Sequence, residues 1–316
     1  MTHHADGLRL THEHELDLRI LFGDQELARY VYRPWDAQPE SPRPYFHPVR
    51  TLAGDVVSLF RPHDHVWHKG IALSLPNVGR PGSADQENFW GGVTFLRDRG
   101  YVQLDNNGTI RHREFVDMDA SPKRVQVAHR LDWLTQAGDA WFDEHRSFAV
   151  SVDGDAWVLT FTTALTNVSG GPVAIGSPTT QGRDNAGYGG LFWRGPRSFT
   201  GGTVLAPGLA GGDELMGSRA RWLGFTGQHD EHGRSSTVLF VDSPGNSGQP
   251  TQWFVRSEPY ACLCPAPFFD AEADVAAGET LTLSYAVVVA DGAADPASAS
   301  RLAELGLSAL AEGGLR

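Results

Sequence analysis

The chain has 316 residues, 41% of them hydrophobic, with 36 Gly, 19 Pro and a formal net charge of −12. That length buries a sizeable core, and the acidic balance disfavours nucleic acid and anionic membrane surfaces as partners, because both repel negative charge. Two cysteines, Cys262 and Cys264, exclude a disulfide framework, and the absence of any run of 18 apolar residues excludes a membrane-crossing helix.

Polar and apolar residues alternate along most of the chain. Leu8–Thr11 and His14–Phe22 (HELDLRILF) read as half-buried strands, and Ala28–Tyr32 continues the pattern. Arg33–Pro48 holds Pro34, Pro39, Pro42, Pro44 and Pro48 and reads as a loop held against the body of the fold. Val125–Trp133 is a strand. Glu144–Ser151 and Trp157–Thr166 flank VDGDA, whose Asp-Gly step signals a hairpin. Val173–Ile175, Ser236–Val241, Gln252–Val255 and Thr280–Ala290 are further strands, whereas the Gly-rich Thr200–Glu214 reads as a long surface loop. Cys262 and Cys264, if on a strand, share one face and are too close in sequence to bridge. Asp295–Leu310 is the one helical pattern, with an Asp-Pro start and Leu302, Leu305 and Leu310. No solenoid or propeller repeat is present. The expected fold is all-β and mainly antiparallel: a single large β-sandwich over residues 1–316 with a short C-terminal helix. Residues 1–20 lack an apolar signal-peptide core, so a cytoplasmic protein is expected, with His3 and His4 in a solvated tail.

The densest chemistry lies in Arg61–Gly70 (RPHDHVWHKG), which carries His63, His65 and His68. Extended, the segment points His63 and His65 to one side and Asp64 and His68 to the other; a turn at Asp64 or Trp67 brings all three histidines together. Imidazole suits proton transfer near neutral pH, contact to a polar substrate, metal ligation, or simple bonding to loop backbone, and the spacing does not choose among these. Glu87–Gly92 (ENFWGG) sets aromatics beside amide and carboxylate, as sugar recognition needs: a ring face stacks on Trp90 while Glu87 and Asn88 hold hydroxyls. The rival reading puts Phe89 and Trp90 in the core and the glycines in a turn. Arg183–Arg194 (RDNAGYGGLFWR) reads as a loop entering a strand; its arginines suit an anion or sugar hydroxyls, and its glycines lack the Lys-Ser/Thr of a phosphate cradle. Glu258, in a turn after QWFVR, is a candidate base. No GxSxG, dinucleotide, Walker or HExxH motif occurs.

Taken together, RPYFHPV (Arg43–Val49), DHVWHKG (Asp64–Gly70), ENFWGG (Glu87–Gly92) and YGGLFWR (Tyr188–Arg194) resemble a bacterial family labelled methane oxygenase PmoA-like, over nearly the whole chain. That name belongs to a membrane-embedded oxygenase, and with no membrane-crossing run here methane oxidation is not expected. More distantly the chain resembles the galactose mutarotase-like supersandwich group of sugar epimerases, lyases and hydrolase accessory domains. This resemblance implies a His acid and a Glu base on an open sheet face, hence one of His63, His65 or His68 as acid and Glu258 as base. The expected function is nucleotide-independent acid/base chemistry on a sugar or keto-sugar, of epimerase, lyase or hydrolase type. The expected substrate-binding residues are His47, Trp67, Lys69, Glu87, Asn88, Trp90, Arg183 and Tyr188. The partner is a small carbohydrate, no cofactor is expected, and a homodimer stays open. Two rivals stand beside this reading: a sugar-binding protein without chemistry, and a divalent-metal enzyme using the histidines with His47 or Glu87.

Overall fold

Alternating strands bury one face each, and here the buried faces of two large antiparallel sheets meet. The computed structural model describes residues 7–313, so His3 and His4 lie outside the described residues. The first sheet has eight strands in the order Leu8–Glu13, Asp17–Phe22, Gln25–Val31, Tyr45–Val49, Ile71–Ser74, Gly190–Arg194, Cys262–Pro265 and Trp253–Arg256. The second has nine: Thr109–Ala120, Arg124–Leu134, Ala140–Asp153, Ala156–Asn167, Thr280–Asp291, Ser235–Asp242, Trp222–Gln228, Thr203–Ala206 and Leu209–Gly211. One core cluster joins them, with Tyr30 against Phe148 at 4.8 Å and Trp193 against Phe225 at 5.5 Å between ring centroids. The fold is thus the expected all-β sandwich. A helix, Pro296–Gly313, lies on the outer face of the second sheet, where Ala299, Ala303 and Gly306 press on Val158, Ala286 and Val288. Its first turn is capped by Asp295, whose Oδ1 accepts from the Ser298 amide at 2.7 Å. No helix among the described residues is long and apolar enough to cross a membrane.

Three expectations need correction. His14–Phe22 is not one strand: a turn at His14–Leu16, with Glu15 at φ 64°, separates Leu8–Glu13 from Asp17–Phe22. The alternation runs straight through that tight turn, so periodicity alone conceals it. The Pro-rich loop ends early, since Tyr45–Val49 is a strand. Its register against Gln25–Val31 shifts between Ala28 and Tyr30, setting His47 and Pro48 opposite Arg29, and such a bulge accommodates a proline that has no N–H to donate. Thr200–Glu214 contains a hairpin, Thr203–Ala206 with Leu209–Gly211, turned by Pro207-Gly208. The strand Thr109–Ala120 was not expected at all; as an edge strand with mostly exposed charged residues it carries little apolar signal.

Within the core runs a polar chain. Arg146 Nη1 donates to the Tyr30 hydroxyl at 3.1 Å. That hydroxyl then donates its single proton to His129 Nε2 at 3.0 Å, leaving His129 Nδ1 to donate to His112 Nδ1, also at 3.0 Å. The order holds only while both imidazoles are neutral. Burial holds His129 well below the ordinary value and His112 at about 4. A histidine whose folded pKa is depressed binds fewer protons than in the unfolded chain, so its contribution is present above about 6.5 and is lost as pH falls toward 4. Thermal melts between those pH values should show a shallower acid-side loss of Tm in His112→Gln than in the native chain; equal slopes would refute the assignment.

Candidate active site

Strand alternation decides what stands on the outer face of the first sheet. In Gly190–Arg194, Leu191 and Trp193 enter the core while Phe192 and Arg194 face outward. Cys262 and Cys264, both free, share that outer face with Phe254 as the CLC spacing implied. Burial pushes the Cys262 thiol up to about 12, so it is no nucleophile.

Over this face hangs the histidine segment, folded as two consecutive turns: the His65 amide donates to Pro62 O at 3.0 Å and the His68 amide to His65 O at 2.9 Å. Of the two arrangements the sequence allows, this is the turned one. Backbone bonds close its base, from Arg61 N to His68 O, Gly70 N to Leu59 O and Arg194 N to Gly70 O. Gly70 has φ 60°, and a Cβ there would sit 2.2 Å from Phe46 O, so only glycine fits.

The turns gather the side chains around one carboxylate. Asp64 Oδ2 accepts from His65 Nδ1 at 2.8 Å and from Arg194 Nη2 at 3.2 Å, while its Oδ1 accepts from Arg197 Nη2 at 2.8 Å. Partial burial raises the Asp64 pKa, but the bonds from His65 and Arg197 and the charge of Arg194 outweigh it and hold the group ionised. His68 lies buried beneath, its ring stacked on His65 at 4.7 Å and 15°. Arg194 Nη1 donates to His68 Nδ1 at 2.9 Å, so His68 carries its proton on Nε2. Burial, then the nearby charges of His65 and Arg194, hold His68 neutral far below its ordinary pKa. Arg194 in turn stacks on Tyr260 at 3.8 Å. His63 Nδ1 accepts from Arg197 at 3.0 Å. The three histidines therefore share one cluster, and His65 alone has its Nδ1 committed to a carboxylate with Nε2 left over.

Aromatic walls continue from it. Tyr260 lies 5.3 Å from the His65 ring, Trp67 also 5.3 Å from it, and Trp90 5.8 Å from His68. Trp90 meets Tyr188, whose hydroxyl bonds that of Tyr101 at 2.9 Å; Arg183 donates to the same Tyr101 oxygen. Trp67, Trp90, Arg183 and Tyr188 are thus parts of one bay.

The remaining expected residues are placed otherwise. Asn88 is buried and shapes its own loop: Oδ1 accepts from the amides of Trp90 at 2.9 Å and Gly91 at 2.8 Å. Lys69 has a fully buried side chain paired with Asp36 at 2.8 Å and with Glu40, so its charge is spent within the fold. His47 bonds Ser58 Oγ at 2.9 Å and stacks on Phe60, and burial lowers its pKa to about 4. Glu87 lines a separate cavity of about 660 Å³ with Arg80, Arg97 and Arg99, where burial raises its pKa to about 6. Glu258 is exposed, and its carboxylate makes no hydrogen bond among the described residues. Among these residues no three His, Cys, Asp or Glu side chains form a group able to hold a metal, so the metal reading with His47 or Glu87 lacks its ligand set. Sequence reasoning overlooked Asp64 as the hub, together with Arg197 and Tyr260. The His-Asp-His run was the available signal for the first; the other two are joined only by folding.

Gly91 and Gly92 form the seat of Trp67: a Cβ on Gly92, at φ 68°, would lie 2.8 Å from the indole. Gly92→Ala should cost about 1–3 kcal/mol from strain and displacement. A lower urea midpoint checks this, and an unchanged one would refute both the strain and the displacement.

No curated protein matches the sequence. Among solved structures, the chain is similar to galactose 1-epimerase from Lactobacillus acidophilus NCFM, at 7% identity and a TM-score of 0.42, covering 90% of this chain and 98% of that one. It is also similar to the GH36 α-galactosidase AgaB of Geobacillus stearothermophilus (11% identity, TM-score 0.40, 90% and 41% covered) and to the α-galactosidase of Lactobacillus brevis (9%, 0.39, 92% and 40%). The chain spans about two fifths of the length of these galactosidases. None of these matches bears the PmoA name. A family model matches residues 17–304, nearly the whole sequence, and the chain belongs to that family, DUF6807, a family of unknown function.

Proposed function

We propose that this protein is a carbohydrate-active enzyme that moves a proton to or from a sugar without nucleotide or metal. The observation that carries the reading is the Asp64–His65 pair, 2.8 Å apart, with His65 stacked on the buried neutral His68. A carboxylate at Nδ1 fixes the ring and its tautomer and stabilises the imidazolium, leaving Nε2 as the proton acceptor. His68, with its proton on Nε2, is a neutral donor suited to a sugar oxygen. Trp67 and Tyr260 flank His65 as apolar faces for a pyranose ring. Glu258 has no such orientation, so His65 takes the role of base and Glu258 is at most peripheral. The epimerase and galactosidases named above agree with this reading in substrate class but do not carry it.

The test is direct. Purified protein is incubated in deuterated water with aldoses, uronates and keto-sugars, and followed by NMR for anomer exchange, solvent deuterium at carbon, or new products. Catalysed exchange or conversion is expected with at least one class. Sugars that bind and return unchanged, without deuterium, would instead make the protein a binding module.

A further inference from the structure

The charges around the histidines do not balance. Arg194 and Arg197 share the single carboxylate of Asp64. A third guanidinium, Arg256, stands on the same outer face two residues beyond Phe254. It is half-buried and its side chain makes no hydrogen bond or ion pair among the described residues; its guanidinium lies over the Phe254 ring at 5.6 Å. Phe254 in turn lies 5.3 Å from Tyr188 of the bay, and Tyr260, 5.3 Å from His65, is close enough to Arg256 for that charge to oppose the raising of its phenol pKa by burial. At the other end of the aromatic bay the Arg183 guanidinium, among the described residues, bonds only the Tyr101 hydroxyl. A chain with net charge −12 has carboxylates to spare, yet among the described residues two guanidiniums at this bay have none paired with them. Partly buried arginines with unused N–H groups are strong sites for oxyanions, because the planar fork matches a carboxylate or phosphate and the low-dielectric wall sharpens the attraction.

We propose that the ligand of this site is an anionic sugar, with Arg256 holding its carboxylate or phosphate while the ring lies against Tyr260 and its reacting carbon or oxygen faces His65. The inference rests on the sugar reading above and narrows it. A neutral sugar would leave Arg256 unmatched, while an anionic one supplies the missing partner and is drawn in by the local positive field.

The experiment compares galacturonate and glucuronate with galactose, glucose and galactose 6-phosphate, by calorimetric binding and by the NMR assay, on the native chain and on Arg256→Gln and Arg256→Lys. Expected are binding of an anionic probe at least about tenfold tighter than of its neutral counterpart, weakening as salt rises, and a rise of about tenfold or more in its Kd or KM in Arg256→Gln, partly recovered in Arg256→Lys. Preference for the uronates assigns a carboxylate; preference for the phosphate assigns a phosphoryl group. Galactose or glucose bound or turned over as well as the acidic probes overturns the anionic inference and leaves the sugar chemistry standing. Uronate bound tightly but unchanged supports the inference and sinks the catalytic reading. The probe comparison on the native chain decides the matter even where a variant fails to fold.

Discussion

Arg146→Met should destabilise the protein by about 3–5 kcal/mol, lowering Tm on the order of 10 °C. Glu144 and Arg146 are buried on the inner face of strand Ala140–Asp153, where Arg146 Nε and Nη2 donate to the carboxylate at 2.7 and 2.8 Å. Trp133 Nε1 at 2.7 Å and Thr163 Oγ1 at 2.8 Å complete its shell. Removing the guanidinium leaves an ionised group without a countercharge inside the sandwich and strips the Tyr30 hydroxyl of its donor. Arg146 itself is held charged: burial works against it, but Glu144 and Tyr30 raise its pKa beyond the ordinary value. A double change, Glu144→Leu with Arg146→Met, removes the stranded charge and should recover much of the loss, because well-packed apolar groups often match a buried ion pair. A single variant that melts within a degree of the native chain would show that water reaches the carboxylate.

His65→Ala should lower turnover of the true substrate by about 10²–10⁴-fold, the usual worth of a positioned general base. Asp64→Asn should lower it by a smaller factor, since the ring keeps its place on His68 but loses the carboxylate that fixes its tautomer. The two changes together should cost little more than His65→Ala alone, as expected for groups acting as one unit. Circular dichroism separates this from unfolding. Full activity in His65→Ala would remove His65 from the mechanism and shift attention to His63.

Much of the architecture was legible because a sandwich writes its inner face into every second residue. Ala140–Asp153, Ala156–Asn167 and Thr280–Asp291, each apolar at alternate positions, were found within a few residues of their ends. The strands that escaped notice include a charge-rich edge strand, Thr109–Ala120, a short one, Ile71–Ser74, buried throughout and too brief for alternation to register, and an interior one, Trp222–Gln228, whose two glycines and near-continuous burial mask the pattern. At the site, local clustering exposed the histidines, because three imidazoles in six residues need no fold to be seen. What ties them to Arg194, Arg197 and Tyr260 is a pairing of segments more than 120 residues apart, which periodicity does not encode. Lys69 and Asn88 were misplaced for a related reason. Polar side chains beside a reactive motif look available, yet here they satisfy buried carboxylates and backbone amides.

The closed base of the histidine segment has a wider meaning. Residues 62–67 lie beyond a neck whose backbone bonds do not involve them, yet the body grips them at two points: Asp64 pairs with Arg194 and Arg197, and Trp67 sits on Gly91 and Gly92 while its carbonyl accepts from Arg43 Nη2 at 2.6 Å. Such a segment is a head on a fixed handle, clamped at Asp64 and Trp67. Changes at Asp64 or Trp67 therefore cost stability along with chemistry, whereas the exposed His63 is open to exchange at little structural cost. New chemistry and lost stability are thus separable at the positions of this segment that the body does not grip, and coupled at the two that it does.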